Sequence, residues 1–402
     1  MDRPLHAAVL PPGPPLLRAL AGALDGGPAI CPLSPDLPEP ALRDLLDALA
    51  PDAIRTPGGL APHRPRGGPV PVNADTAVLI ATSGSTGTPK FVELSAAALR
   101  HSAAGTLDRI GAAPGDRWLC CLPTSHISGV QVLVRALVAG TDPIIVPRFD
   151  TAAIAAAAAE RPHISLVPTQ LRRLLDAGTD LSRLGAIVLG GAAAPPGLLA
   201  EARDRGARVF TTYGMSETSG GCVYDGTPLP GMRVALGDGG RIRLAGPSLF
   251  TGYRLRPEQT AQVGEGARDG EWFVTQDLGA LEDGRLRVRG RLDDVINTGG
   301  EKVVAGEVAA ALSRHPKIRD VVVVGRPDPE WGERVTAVVV PAPGPSGAPG
   351  ATGGSGGPEL RELRALVRET MPAYAAPHEL ELVDAIPLLA SGKPDRARLR
   401  TP

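Results

Sequence analysis

What most limits the folding of this chain is an alternation that runs from Thr76 to about Phe210. Short, mostly apolar runs at 78–81, 118–122, 143–146, 164–167, 186–189 and 208–211 are mostly separated by helical patterns, such as 152–160, 169–177 and 196–205. A strand that is apolar at every position is covered on both faces, and helix-length connections return the chain parallel to itself. The expected class is therefore α/β, with mostly parallel sheet under helices. In such sheets ligands gather outside the carboxyl ends of the strands.

The first run leads into Thr82-Ser83-Gly84-Ser85-Thr86-Gly87-Thr88-Pro89-Lys90. Glycines let backbone N–H groups turn toward an anion, hydroxyls add donors and the lysine adds a point charge. Ser95 and the alanines after it open like a capped helix, so the segment reads as a strand-loop-helix connection. A plain Gly/Ser surface turn is the bland alternative; the lysine and the context weigh against it. Gly84 and Gly87 stand too close for a Walker A loop, and no Gly-Lys-Ser/Thr follows.

A second such segment, Thr211-Thr212-Tyr213-Gly214-Met215-Ser216-Glu217-Thr218, also follows an apolar run. An aromatic beside glycine can offer its face to a flat base, and Glu217 suits a hard cation such as Mg²⁺. An ordinary strand-to-loop turn is the competing reading. Asp277, Arg291, Asp293 and Lys393 each read alone as turn or solvated charges.

In order, these segments resemble the motifs of the acyl-adenylate-forming (AMP-forming) synthetases, whose phosphate loop reads Ser/Thr-Gly-Ser/Thr-Thr-Gly-x-Pro-Lys. The resemblance covers residue 77 to the C-terminus. It implies ATP-dependent activation of a carboxylic acid as acyl-AMP, then transfer to CoA, with ATP, Mg²⁺ and CoA required. By resemblance Thr82, Ser83, Gly84, Ser85, Thr86, Gly87, Lys90 and Ser216 meet the phosphates, and Glu217 holds magnesium. Gly191, Ala192, Thr212, Tyr213 and Gly214 border the adenine, while Asp277 and Arg291 meet the ribose. Asp293 is the implied hinge, and Gly299 and Gly300 belong to a hairpin lining the thiol tunnel. Lys393, in Ser391-Gly392-Lys393-Pro394-Asp395-Arg396, is the implied mobile catalytic lysine. Phe91 stands where the family usually has glycine, so that side of the loop is expected to be less mobile.

The wall that selects the acid is sought at Leu122-Pro123-Thr124-Ser125-His126-Ile127-Ser128-Gly129, which enters an apolar helix carrying Arg135. His126 could cap that helix or fill a gap; Arg135 could be a snorkelling surface cation. Nine residues of helix span roughly 13 Å, so the two could serve opposite ends of one elongated acid. The short length, His-Ile-Ser-Gly and a cation nine residues on resemble the o-succinylbenzoate–CoA ligases of menaquinone synthesis. That implies a dicarboxylate, with catalytic His126 near the reacting centre and Arg135 as carboxylate clamp or support behind it. Another acyl- or aryl-CoA ligase, a stand-alone adenylation enzyme loading a carrier protein, and a non-catalytic nucleotide-binding protein stay open as alternatives.

The 402 residues suit two or three domains. The expected N-terminal adenylate-forming domain spans 1–290. Its shortened first part, 1–75, holds helices at 15–24 and 40–49, a strand at 28–33 and a loop at 56–71. A β-rich part at 232–290 is marked by the hairpin pairs Asp238-Gly239 and Asp283-Gly284. A smaller, mobile α+β lid spans 291–402, with a Gly/Pro/Ala-rich disordered insertion at 341–358. A net charge of −1 gives no sign of a nucleic-acid or membrane surface as partner; small-molecule partners, the acid, ATP and CoA, are what the resemblance implies. The cysteines Cys31, Cys120, Cys121 and Cys222 have no metal or disulfide spacing, which suits a reduced cytoplasm. No signal peptide or spanning helix is expected, and homo-oligomer formation is left open.

Overall fold

A computed structural model of the chain describes residues 2–65, 68–83, 89–254, 268–342, 357–389 and 392–401. They form two compact units. The first holds 1–191, 202–235 and 243–274; the second holds 192–201, 236–242 and 275–402.

The first unit contains two seven-stranded sheets. One is built from β1 (Leu5–Val9), β2 (Ala29–Leu33), β3 (Ala53–Thr56), β4 (Gly59–Pro62), β5 (Thr76–Ser83), β6 (Pro89–Ser95) and the strand Gly252–Arg254. β2 and β3 flank β1 in parallel, and β5 joins β2 in parallel through Ile30 and Val78. Leu5, Ala7, Val9, Cys31, Leu33, Leu79 and Phe91 form its core, with Leu42, Leu45 and Leu46 of helix Glu39–Leu49 packed on it.

The other sheet is built from β7 (Trp118–Cys120), β8 (Ile144–Ile145), β9 (His163–Leu166), β10 (Ile187–Leu189), β11 (Val209–Met215), β12 (Gly220–Tyr224) and β13 (Thr227–Pro228). β8, β7, β9, β10 and β11 run parallel in that order; β12 and β13 return antiparallel at one edge. Every residue of β7, β9 and β10 is buried. That is why β7 and β10 read as continuous apolar runs, while β9 buries His163 and Ser165 among its apolar residues.

The expected parallel α/β architecture is present, with three corrections. The run at 78–81 belongs to a different sheet from the others. The glycine-rich segment joins two antiparallel strands, β5 and β6, and the helix Ala96–Ile110 starts only after β6. Ser95 caps that helix as expected, its hydroxyl accepting the Ala98 N–H at 3.0 Å. Part of the loop expected at 56–71 is strand, β4 pairing with β3. Gly84, Ser85, Thr86, Gly87 and the side chain of Ser83 lie outside the described residues, as does most of the expected insertion at 341–358.

In the second unit Ile318–Asp328 and Gly332–Pro341 form a long antiparallel pair, with Glu379–Leu382 parallel to the latter. Alternate valines serve two cores. Val323, Val335 and Val339 meet Val308, Leu312, Leu363 and Val367 from two helices, while Val322, Val324 and Val338 meet Ile386 and Leu399. Asp283 and Gly284, both at positive φ, turn the chain between paired Glu282 and Arg285, as their sequence predicts.

Candidate active site

In the first unit the ends of the glycine-rich hairpin face each other. Thr82 pairs with Lys90 across β5 and β6, and the Thr82 hydroxyl donates to the Lys90 carbonyl at 3.3 Å. The Lys90 ammonium lies 3.2 Å from Glu217 Oε1. Tyr253 donates its hydroxyl to the same oxygen at 2.9 Å, and its ring centroid is 4.4 Å from Lys90 Nζ. The Lys90 and Glu217 side chains are only 22% and 11% exposed, so their attraction is less screened than that of an open surface pair.

Glu217 is held in place by its backbone. It sits in the single turn Ser216–Thr218, where the Thr218 hydroxyl accepts the Met215 N–H at 2.9 Å. Its own carbonyl accepts the Phe250 N–H at 2.8 Å. Oε2 of Glu217 has no partner among the described residues. One free carboxylate oxygen suits magnesium, which takes one or two carboxylates and completes its shell with phosphate and water oxygens. Among the described residues no cluster of three His, Cys, Asp or Glu could hold a metal by itself.

The end of β11 is shaped by glycine. Tyr213 pairs with Val223, and the register then slips so that Gly214 faces Gly221. Such a bulge re-aims the side chain beside it. A Cβ on Gly214 would fall 2.0 Å from the Gly220 carbonyl oxygen. Thr212 occupies a slot left by Gly190 and Gly221, whose Cβ atoms would lie 2.8 and 2.1 Å from it. Its buried hydroxyl has no partner among the described residues, which is costly unless a ligand supplies one. Gly191 follows β10 at φ +82°, and Ala192 opens the stretch grouped with the second unit.

In the second unit Asp277 and Arg291 are cross-strand partners, with Arg291 Nη1 3.5 Å from Asp277 Oδ1. Arg291 also grips Asp293 through Nε and Nη2, both at 2.8 Å. That fork raises the Arg291 pKa and lowers that of Asp293. Asp294 beside it receives Arg396 at 3.2 Å and Arg400 at 3.0 Å, tying the C-terminal helix Arg396–Arg400 to this turn. Lys393, just before that helix, is exposed, and its carbonyl accepts the Leu389 N–H at 2.8 Å. Gly299 and Gly300, at φ 59° and 84°, turn Val295–Thr298 into Glu301–Val304. A Cβ on Gly299 would reach within 2.8 Å of the Trp331 ring.

Residues 51–254 match the AMP-binding enzyme family and residues 307–393 match the AMP-binding enzyme C-terminal domain. The chain belongs to the AMP-binding enzymes. A Mycobacterium tuberculosis relative named "Probable 2-succinylbenzoate–CoA ligase" is 42% identical over 82% of this chain and 85% of its own. The 2-succinylbenzoate–CoA ligase of Escherichia coli is 34% identical over 81% of this chain and 74% of its own. Among solved structures, Bacillus subtilis o-succinylbenzoate CoA synthetase with its acyl-adenylate intermediate aligns at a TM-score of 0.79. It is 26% identical, covering 100% of this chain and 89% of that one.

In this AMP-binding enzyme His126 stands at the N-cap of helix Ile127–Val138, yet its side chain makes no capping bond. Capping is therefore not its role. A Cβ on Gly129 would fall 2.3 Å from the Pro123 carbonyl oxygen, which explains the glycine of His-Ile-Ser-Gly. Arg135, in the last turn, is 3% exposed, which overturns the snorkelling alternative. Its guanidinium donates to Ser165 Oγ at 2.9 Å, reaches the Tyr224 hydroxyl at 3.5 Å and lies 5.0 Å from the Trp118 ring centroid. Burial lowers its pKa, and no carboxylate pairs with it among the described residues. Trp118, Ser165 and Tyr224 thus enclose the guanidinium. Sequence reasoning missed Tyr253. Its one cue was a glycine-aromatic pair, Gly252-Tyr253, like Tyr213-Gly214 in reverse.

Proposed function

We propose that this chain is an o-succinylbenzoate–CoA ligase of menaquinone biosynthesis, activating the acid as acyl-AMP and passing it to CoA in the cytoplasm. The bond between Lys90 and Glu217 carries the adenylation reading, because it joins the phosphate-loop lysine to the expected magnesium carboxylate. The named relatives support the choice of acid.

A substrate carboxylate oxygen attacks the α-phosphorus of ATP; the Pα–O bond to the β-phosphate breaks and pyrophosphate leaves. Lys90, Thr82 and Ser216 steady the phosphates, with the loop residues Ser83, Gly84, Ser85, Thr86 and Gly87. Magnesium, held by Glu217, neutralises phosphate charge when bound. Tyr213, Gly214, Thr212, Gly191 and Ala192 border the adenine, and the Thr212 hydroxyl, without a partner among the described residues, fits that role. Asp277 accepts from the ribose hydroxyls, beside Arg291. Lys393 supplies an ammonium to the charge that builds on carboxylate and phosphate oxygens. Residues 291–402 then act as a lid turning at Asp293, and the hairpin at Gly299 and Gly300 admits the CoA thiol. Its sulfur attacks the acyl carbonyl and AMP departs. His126 lies near the reacting carboxylate, and Arg135 stiffens the wall that recognises the second one.

The test is ATP–pyrophosphate exchange across a panel of acids, repeated with CoA as thioester formation. Exchange and thioester formation are expected with o-succinylbenzoate. Equal kcat/KM for o-succinylbenzoate and an analogue lacking the ring carboxylate would sink the dicarboxylate reading, since a site built for a charged group rejects its absence strongly. Exchange without thioester formation would move the chain to carrier-protein loading.

A further inference from the structure

Tyr253 takes no part in the motifs that identify the chain, yet it touches both charged members of the phosphate site. Its strand, Gly252–Arg254, runs antiparallel to β6 with Tyr253 opposite Val92. Lys90 is then the diagonal neighbour on the same face, within reach of an aromatic ring. Phe250 fixes that ring, the centroids 4.7 Å apart, and Phe273 backs Phe250 edge-on at 5.2 Å. The Phe250 N–H also holds the Glu217 carbonyl at 2.8 Å. The aromatic cluster and the carboxylate thus share one anchor.

We propose that Tyr253 is a positioning residue for adenylation: its hydroxyl fixes Glu217 by Oε1, leaving Oε2 for magnesium, while its ring supports the Lys90 ammonium. The role rests on the adenylation reading above. Lys90 and Tyr253 both donate to Oε1. When nucleotide phosphates arrive they compete with Glu217 for the lysine, and the ammonium can leave Oε1. The Tyr253 hydroxyl is neutral and gains less from a phosphate, so it stays. Glu217 therefore keeps its orientation at the moment it must ligate the metal. A hydrogen bond to a carboxylate is among the stronger ones, and partners that orient a metal ligand typically govern tenfold or more of metal affinity.

The experiment compares wild type with Tyr253→Phe and Tyr253→Leu. Mn²⁺ binding is measured by electron paramagnetic resonance with a non-hydrolysable ATP analogue, and Mg²⁺ dependence by pyrophosphate exchange. Tyr253→Phe keeps the ring and loses the hydroxyl. It should weaken Mn²⁺ binding and raise half-saturating Mg²⁺ about tenfold, with the KM for ATP and for the acid unchanged. Tyr253→Leu should show the same metal defect and also raise the KM for ATP, because the support under Lys90 is gone. Thioester formation from supplied acyl-adenylate should survive in both. Wild-type Mn²⁺ affinity in Tyr253→Phe would overturn the proposal. So would a lowered melting temperature with equal loss of both half-reactions, the mark of a merely structural tyrosine. If the wild type exchanges no pyrophosphate with any acid, the adenylation reading fails, and the Mn²⁺ measurement still judges Tyr253.

Discussion

Lys90 Nζ and Glu217 Oε1 lie 3.2 Å apart across 127 positions of sequence, joining the glycine-rich hairpin of one sheet to the end of β11 in the other. Removing either charge should cost pyrophosphate exchange about 10²- to 10³-fold, the usual scale for one preorganised electrostatic group. Because the two act on the same phosphates, the double variant Lys90→Ala with Glu217→Gln should lose much less than the product of the single losses. Strictly multiplicative losses, measured as kcat/KM for ATP, would show that the pair is not a working unit.

Lys393 stands in a segment whose helix is tied to Asp294 by Arg396 and Arg400. Lys393→Ala should abolish most acyl-adenylate formation, by about 10²-fold or more, while thioester formation from supplied acyl-adenylate continues. Single-turnover assays of the two half-reactions separate the outcomes. Equal loss of both would remove the lysine from the adenylation step.

Gly214 has no room for a side chain, since its Cβ would lie 2.0 Å from the Gly220 oxygen and 2.6 Å from the Gly221 Cα. Both are backbone atoms and cannot swing aside. Gly214→Ala should destabilise the first unit by about 3 kcal/mol or more, read as a lower urea midpoint. An unchanged midpoint would mean that the bulge between β11 and β12 relaxes freely.

All four cysteines are buried and free. Burial penalises the thiolate and pushes the thiols of Cys31, Cys120 and Cys222 up to about 12; that of Cys121 is raised by the same cause. A thiol so far above the working pH stays protonated and does not attack alkylating agents. At pH 8 iodoacetamide should leave the folded protein unmodified and label all four after unfolding in urea. Rapid labelling of native Cys120 or Cys121 would contradict their placement in the core.

Strand positions in the first unit were legible because burial leaves a mark on each segment separately. Ile187-Val188-Leu189 is buried at every residue, and its sequence says so without help. The sheet that each strand joins left no such mark. Val78 reads like Ile164, but Val78 pairs with Ile30 and Ile164 with Ile187. β6 was hidden because Pro89 and Lys90 belong to the loop motif and Glu93 interrupts the apolar run. Arg135 was visible as a cation out of place, while its enclosure by Trp118, Ser165 and Tyr224 was not.

Read in order, the residues supply the chemistry on offer: a glycine-rich loop ending in Lys90, a carboxylate at Glu217, opposite charges at Asp277 and Arg291, and Lys393 near the end of the chain. These are local patterns, set by which side chains stand next to which along the backbone. It took the tertiary structure to bring Tyr253 to both Lys90 and Glu217 at one carboxylate oxygen, and to bury Arg135 among Trp118, Ser165 and Tyr224. Such contacts depend on strands far apart in sequence packing in one register, and hydrophobic patterning records that a segment is buried without naming its neighbour.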